Sequence, residues 1–161
     1  MVTTAYQLAA QVPDPELPVL TIEDLGILRG VREWHGSEHD RVEIAITPTY
    51  SGCPALETIR TEVQRALAAG GFGDVTVLTR FAPPWTTDWI SPEGRRKLTE
   101  YGIAPPGPAG TPTPVRLALT VRCPRCGAAE TEELSRFGST ACKAIWRCRV
   151  CSEPFEAVKA L

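Results

Sequence analysis

The chain places six cysteines in 161 residues, and five of them fall between positions 123 and 151. Four of these form two pairs, Cys123-Pro-Arg-Cys126-Gly and Cys148-Arg-Val-Cys151-Ser, separated by 21 residues. Two sulfurs three positions apart on a tight turn can face one ion, and a second such pair completes a tetrahedron of thiolates. The separation lies just beyond the ~15–20 residues usual for such sites, a difference that a longer hairpin absorbs. Cys123, Cys126, Cys148 and Cys151 are therefore expected to ligate one metal ion. Zinc is the expected ion, and iron in a rubredoxin-like site takes the same four ligands. A saturated four-thiolate site leaves no position for a substrate, so its expected role is structural. Cys142 lies outside both pairs and is expected to be an ordinary buried or half-exposed thiol.

Cys53 is the only cysteine in the first 122 residues, within Ser51-Gly52-Cys53-Pro54-Ala55. Proline suits the first position of a helix, where its missing N–H costs nothing. That would place Cys53 at the N-cap, facing unpaired backbone N–H groups and the positive end of the helix dipole. Both favour thiolate over thiol, so a lowered pKa is expected. A second reading stands beside this one: a cysteine standing where a serine cap would serve better. No His, Asn or second Cys lies nearby in sequence to complete a nucleophile constellation, so a catalytic role is not expected.

Asp14, Glu16, Glu23 and Asp24 could cooperate with Cys53 in holding iron transiently, or could belong to solvated turns. His35 and His39 flank Gly36-Ser37 and are expected on an exposed hairpin turn. Trp85 and Trp89 are core anchors or an exposed patch for docking a partner, and one of them is expected to anchor the core.

The elements that must position these groups follow from the pattern. Residues 3–12 suit a helix capped by Thr3 or Thr4 and stopped by Pro13 and Pro15. Residues 27–34 and 41–49 read as a hairpin, the second strand alternating Val42, Ile44 and Ile46 with Arg41, Glu43 and Ala45. Leu56, Ile59, Val63, Ala66 and Leu67 carry helical spacing over 54–69, ended by Gly70-Gly71. A strand over 74–81 and a helix over 91–103 complete the first part. The expected fold class is α+β: a small mixed sheet with helices on one face, followed by a four-cysteine ribbon of short strands. The run PPGPAGTPTP (105–114), with five prolines and two glycines, reads as a stiff linker. The expected domains are thus 1–104, the linker 105–114, and the ribbon 115–161. The ribbon has few large apolar side chains, so bound metal would supply much of its folding energy.

Composition limits the function classes. Net charge is −2, divided as nine Lys+Arg against fourteen Asp+Glu in 1–114, and eight against five in 115–161. Four thiolates and a divalent ion would leave the ribbon near +1, which is no nucleic-acid footprint. No run of 18 or more apolar residues occurs, and the N-terminus lacks the pattern of a signal peptide. The expectation is a cytoplasmic protein with reduced thiols and no membrane contact.

Several stretches also resemble a known family. DPELPVLTIEDLGIL (14–28) and ITPTYSGCPALETI (46–59) resemble the small domain of SufT-type iron–sulfur assembly factors. FAPPWTTDWISPEGRRKL (81–98) and FGSTACKAIWRCRVCSEPFE (137–156) resemble the PaaD subgroup, found with the phenylacetyl-CoA epoxidase of bacterial phenylacetate degradation. The resemblance implies an accessory protein, not an enzyme, that helps assemble or repair the iron–sulfur or di-iron centres of that system. It implies Cys53 as the functional thiol, handling transient iron or an iron–sulfur cluster, and matches Asp14 and Glu16 to the family's acidic motif. Implied partners are the epoxidase reductase or oxygenase subunits and the iron–sulfur assembly machinery. Since one sulfur cannot hold a cluster alone, a homodimer is expected. The rival reading is a zinc-ribbon module docking on nucleic acid or a transcription complex.

Overall fold

The computed structural model describes residues 4–34, 41–50, 52–107 and 121–160. His35 and His39 lie outside them, as do Ser51 and most of the expected linker. The described chain forms two compact units. The first runs to Trp85 and includes Trp89–Ser91, and the second holds Thr86–Asp88 and everything from Pro92 onward. None of the described helices is long and apolar enough to cross a membrane.

The first unit begins with helix α1 (Ala5–Ala10), whose Thr4 cap accepts from Gln7 N–H while the Gln7 side chain accepts from Thr4 N–H. Strand β1 (Leu28–Trp34) pairs antiparallel with β2 (Arg41–Ile46), and β2 pairs parallel with β3 (Asp74–Thr79). Helix α2 (Ala55–Ala69) connects β2 to β3. The alternation read in β2 sorts the faces: Val42, Ile44 and Ile46 are fully buried, as are Val63 and Leu67 of α2. Ile59, Val63 and Leu67 recur every four residues, which places them on one stripe of the helix. The end of α2 is a Schellman turn in which Gly71 N–H donates to Ala68 O and Phe72 N–H to Leu67 O. The turn requires a left-handed residue, and Gly71 supplies it at φ 94°.

The long connection before β1 is held by local caps. Asp24 Oδ2 accepts from Thr21 N–H while Thr21 Oγ1 accepts from Asp24 N–H, at 3.0 and 3.1 Å. Asp24 O accepts from Ser91 N–H, and Leu25 O accepts from the Trp85 indole, both at 2.8 Å. Trp85 is therefore the core anchor of the tryptophan pair. Gly26 packs so closely beneath Trp89 that a Cβ there would lie 2.7 Å from it.

The second unit carries helix α3 (Pro92–Glu100) and a sheet in the order β4-β7-β6-β5: β4 (Ile103–Ala104), β7 (Pro154–Val158), β6 (Lys143–Cys148) and β5 (Thr131–Ser135). β4 runs parallel to β7, and the other pairs are antiparallel. The ribbon sheet thus takes an edge strand from residues ahead of the proline-rich run. Ala104, Cys123, Cys148, Phe155 and Ala157 form its buried cluster. The mixed α+β class with short ribbon strands holds.

Candidate functional site

The chain carries two sulfur sites. In the second unit, the ligand atoms of Cys123, Cys126, Cys148 and Cys151 all lie within 4.8 Å of one another. Cys123 Sγ is 3.8 Å from Cys151 Sγ, and Cys126 Sγ is 3.6 Å from Cys148 Sγ. Four sulfurs at ~2.3 Å from a tetrahedral zinc stand about 3.8 Å apart, so the cage already has the dimensions of the ion it would hold. Soft donors and a closed tetrahedron fit a structural metal, and these four residues would ligate it.

Local backbone explains the convergence. Each pair occupies a turn that returns N–H groups to its own sulfurs: Cys126 accepts from Ala128, Cys148 from Cys151 and Val150, and Cys151 from Glu153. Each such bond favours thiolate at its own sulfur. With the Cys151 N–H foremost, the Cys148 thiol is held down to about 7, whereas at Cys126 the Ala128 N–H is outweighed by burial and the neighbouring sulfurs, which push the thiol up to about 12, and Cys151 is likewise raised. The residue after each pair turns left-handed, Gly127 at φ 73° and Ser152 at φ 62°. Cys123 and Cys148 are buried, while Cys126 and Cys151 face outward. Cys142 stands apart and half-exposed, its Sγ 3.1 Å from Thr140 Oγ1.

In the first unit, β2 ends at Ile46 and the chain turns into α2 through Gly52 at φ 89°. Pro54 occupies the N-cap itself, and Cys53 stands one residue before it, a shift of one position from the sequence expectation. Cys53 O still accepts from Leu56 N–H at 3.2 Å, and its sulfur accepts from Ala55 N–H and bonds the Thr49 side chain. The thiol is half-buried.

The expected lowering of its pKa is reversed. Burial raises the thiol most, the Ala55 N–H opposes it, and the charges of Glu16 and Asp14 add to the rise, against a smaller pull from Thr49. A helix start acts locally, whereas desolvation and two carboxylates arrive only through the fold. Asp14 is buried, and its Oδ1 accepts from Glu16 N–H at 2.9 Å and Leu17 N–H at 2.8 Å. Burial foremost pushes its own carboxyl upward. The structure thus brings Asp14 and Glu16 into the electrostatic neighbourhood of Cys53 across nearly forty positions of sequence. It gives Glu23 and Asp24 other work. Glu23 accepts from the Tyr6 hydroxyl at 2.6 Å, and Asp24 braces the connection to Ser91. Thr49 joins the site without having been singled out in the sequence; its place at the end of the strand read over 41–49, four residues before the thiol, was the available signal.

Among the described residues, the four ribbon cysteines are the one group of three or more His, Cys, Asp or Glu whose ligand atoms converge. Cys53 with its acids is a thiol in a negative field, not a preformed cage.

Comparison with known proteins follows this division. Residues 7–79 match the family described as iron–sulfur cluster assembly protein, and residues 108–159 match the PaaD zinc beta ribbon domain. A curated relative from Escherichia coli K12, described as the putative D component of 1,2-phenylacetyl-CoA epoxidase, is 47% identical over 156 residues, covering 97% of this chain and 91% of that one. The crystal structure of a domain of unknown function, DUF59, from Bacillus anthracis is 27% identical over 58% of this chain and 87% of its own, with TM-score 0.51. A Mycobacterium tuberculosis protein described as associated with Fe–S complex assembly and repair is 31% identical over 60% of this chain and 81% of its own, with TM-score 0.39. A four-sulfur cage behind an iron–sulfur assembly domain, with a relative matched along 97% of the sequence, places the chain in the family of PaaD proteins.

Proposed function

We propose that the chain is an accessory protein of a phenylacetyl-CoA epoxidase system, assisting assembly or repair of an iron–sulfur cluster or di-iron centre. The 47% identity to the Escherichia coli epoxidase component and the assembly-domain match support the system and the class of work. The role is non-catalytic. The ribbon holds zinc, and that ion supplies folding energy to a unit with a small core. Nothing remains open on it for a substrate.

The observation that carries the reading is a half-buried thiol set against two carboxylates. In the free protein the carboxylates disfavour thiolate. A cationic iron cargo reverses that balance: it neutralises the acidic field, displaces the thiol proton to solvent and gains a soft ligand. Asp14 and Glu16 thus make the sulfur responsive to a cation while leaving it protonated and quiet otherwise. Asp14 keeps its backbone caps throughout, so it acts through its charge and holds the loop in place. A single sulfur leaves an iron–sulfur cargo under-coordinated, so a second Cys53 in a homodimer, or ligands from the assembly machinery or a recipient reductase or oxygenase subunit, completes the site.

The nucleic-acid reading is not favoured. Arg147 and Arg149 both pair with Glu132, Arg125 with Glu153, and Arg136 with Glu133, so the ribbon's positive charge is largely matched within the ribbon.

The test is a Cys53→Ser variant in cells that depend on the epoxidase, with anaerobic metal analysis of the purified protein. Epoxidase activity should fall while the ribbon keeps one zinc per chain. Full activity with Cys53→Ser would remove the thiol from the mechanism.

A further inference from the structure

The strands of the first unit carry a second concentration of charge that neither sulfur site uses. A concavity of about 330 Å³ is lined by Arg29, Arg32 and Arg80, with Gly30 and Ala45 on its sheet side. Among the described residues, Glu43 is the one acidic residue of its lining. It lies directly across the ladder from Arg32, and the two make no ion pair among the described residues.

Two features of the backbone set Arg29 and Arg80 beside the hollow. The register of β1 on β2 slips between Leu28 and Gly30. Such a bulge redirects a side chain, and here Arg29 stacks on the Trp89 ring at 3.7 Å. Arg80 follows β3 directly and is pinned by its N–H to Ile46 O at 2.8 Å. The remaining arginines of this unit have found partners: Arg41 with Asp74 at 3.9 Å, Arg60 with Thr79 at 2.6 Å, and Arg65 with Glu62. Arg32 and Arg80 have no such partner among the described residues. Three arginines against one glutamate leave the lining net positive, a local field that favours an anion over a cation. A planar carboxylate is satisfied by one guanidinium fork, whereas a phosphate presents three oxygens and nearly two charges to several forks at once. Gly30 and the methyl of Ala45 leave the floor open, and a Cβ at Gly30 would meet nothing within 4 Å.

We propose that this concavity is an oxyanion site taking a phosphate or a phosphate ester. Its test is an amide NMR titration of the full zinc-loaded chain at low ionic strength, first with inorganic phosphate and then with ADP. Saturable shifts at Gly30, Arg32 and Ala45 are expected with at least one of the two. Tighter binding of ADP identifies an esterified phosphate as the source, and equal binding identifies free phosphate. Arg32→Ala with Arg80→Ala should weaken binding by about tenfold or more, and Gly30→Glu should do the same by setting a carboxylate in the hollow. Arg65→Ala, on α2, is the charge control and should leave the affinity unchanged. The proposal is overturned if neither probe saturates, if the arginine and Gly30→Glu variants bind as the parent does, or if Arg65→Ala weakens binding equally.

Discussion

The two sulfur sites differ in what the fold gathers around each thiol. In the ribbon, turn N–H groups converge on the sulfurs, and the four ligand atoms already stand at metal-cage distances. At Cys53 one N–H and a hydroxyl are opposed by burial and two carboxylates, and the thiol belongs to no converging group of three or more ligand atoms among the described residues. On the proposed reading, the first arrangement keeps an ion permanently, while the second favours a proton until a cation arrives. The lesson is that thiolate character in this chain is set by what the fold brings up behind each sulfur. The residue type and its nearest neighbours do not decide it.

The hardest blow to this contrast comes from the ribbon. Cys148→Ala removes a fully buried ligand, and with it most of a metal contribution on the order of 10–16 kcal/mol for small zinc domains. Zinc should fall from one per chain to none, with collapse of amide dispersion over β5, β6 and β7 and retention of the signals of β2 and α2. A ribbon that stays folded would break the comparison. Cys53→Ala should cost only about 1 kcal/mol in chemical denaturation, the scale of a lost hydrogen bond, with zinc content unchanged.

The acidic field offers a finer test. The folded chain holds the Cys53 proton more tightly than the unfolded chain does, since its pKa is raised. That contribution to stability is complete below the unfolded thiol's value and disappears as pH rises through the folded one. Asp14→Asn, which preserves an oxygen for the Glu16 and Leu17 N–H groups, should lower the thiol's pKa, and Glu16→Gln should do likewise. Each should speed alkylation of Cys53 near neutral pH, read by mass spectrometry. An unchanged rate would mean burial alone sets the shift.

The smallest effect lies in the turns that follow the two cysteine pairs. Ser152 holds the left-handed conformation that Gly127 supplies in the first turn. Ser152→Gly should therefore stabilise the zinc-loaded ribbon by up to about 1 kcal/mol, and Gly127→Ala should destabilise it by a similar amount. Thermal melts of the two variants compare the turns directly.

Much of this was legible in the residues. The convergence of the four paired cysteines, the buried stripe of α2 and the inward face of β2 follow from spacing alone, because turns, helices and strands impose fixed periods on short windows. The proximity of Asp14 and Glu16 to Cys53 followed from family resemblance and from no local pattern. The sign of the thiol's shift was lost for the same reason, since desolvation is a property of the assembled fold. Strand β5, with Leu134 exposed, and the two-residue β4 were not marked in the sequence either. Neither carries a clear alternation, and both are strands only because a neighbour accepts their hydrogen bonds. The tryptophan pair was resolved by one acceptor, the Leu25 carbonyl beneath Trp85.

Strand β4 bears on how the protein can be divided. It covers one side of β7, and β6 covers the other. A fragment begun at the first metal-binding turn would leave a row of β7 N–H and C=O groups bare, a template on which identical fragments could stack edge to edge. Self-association of such a truncated ribbon would report the missing two-residue strip and say nothing of the full chain's own oligomeric habit, so a soluble fragment should begin ahead of α3.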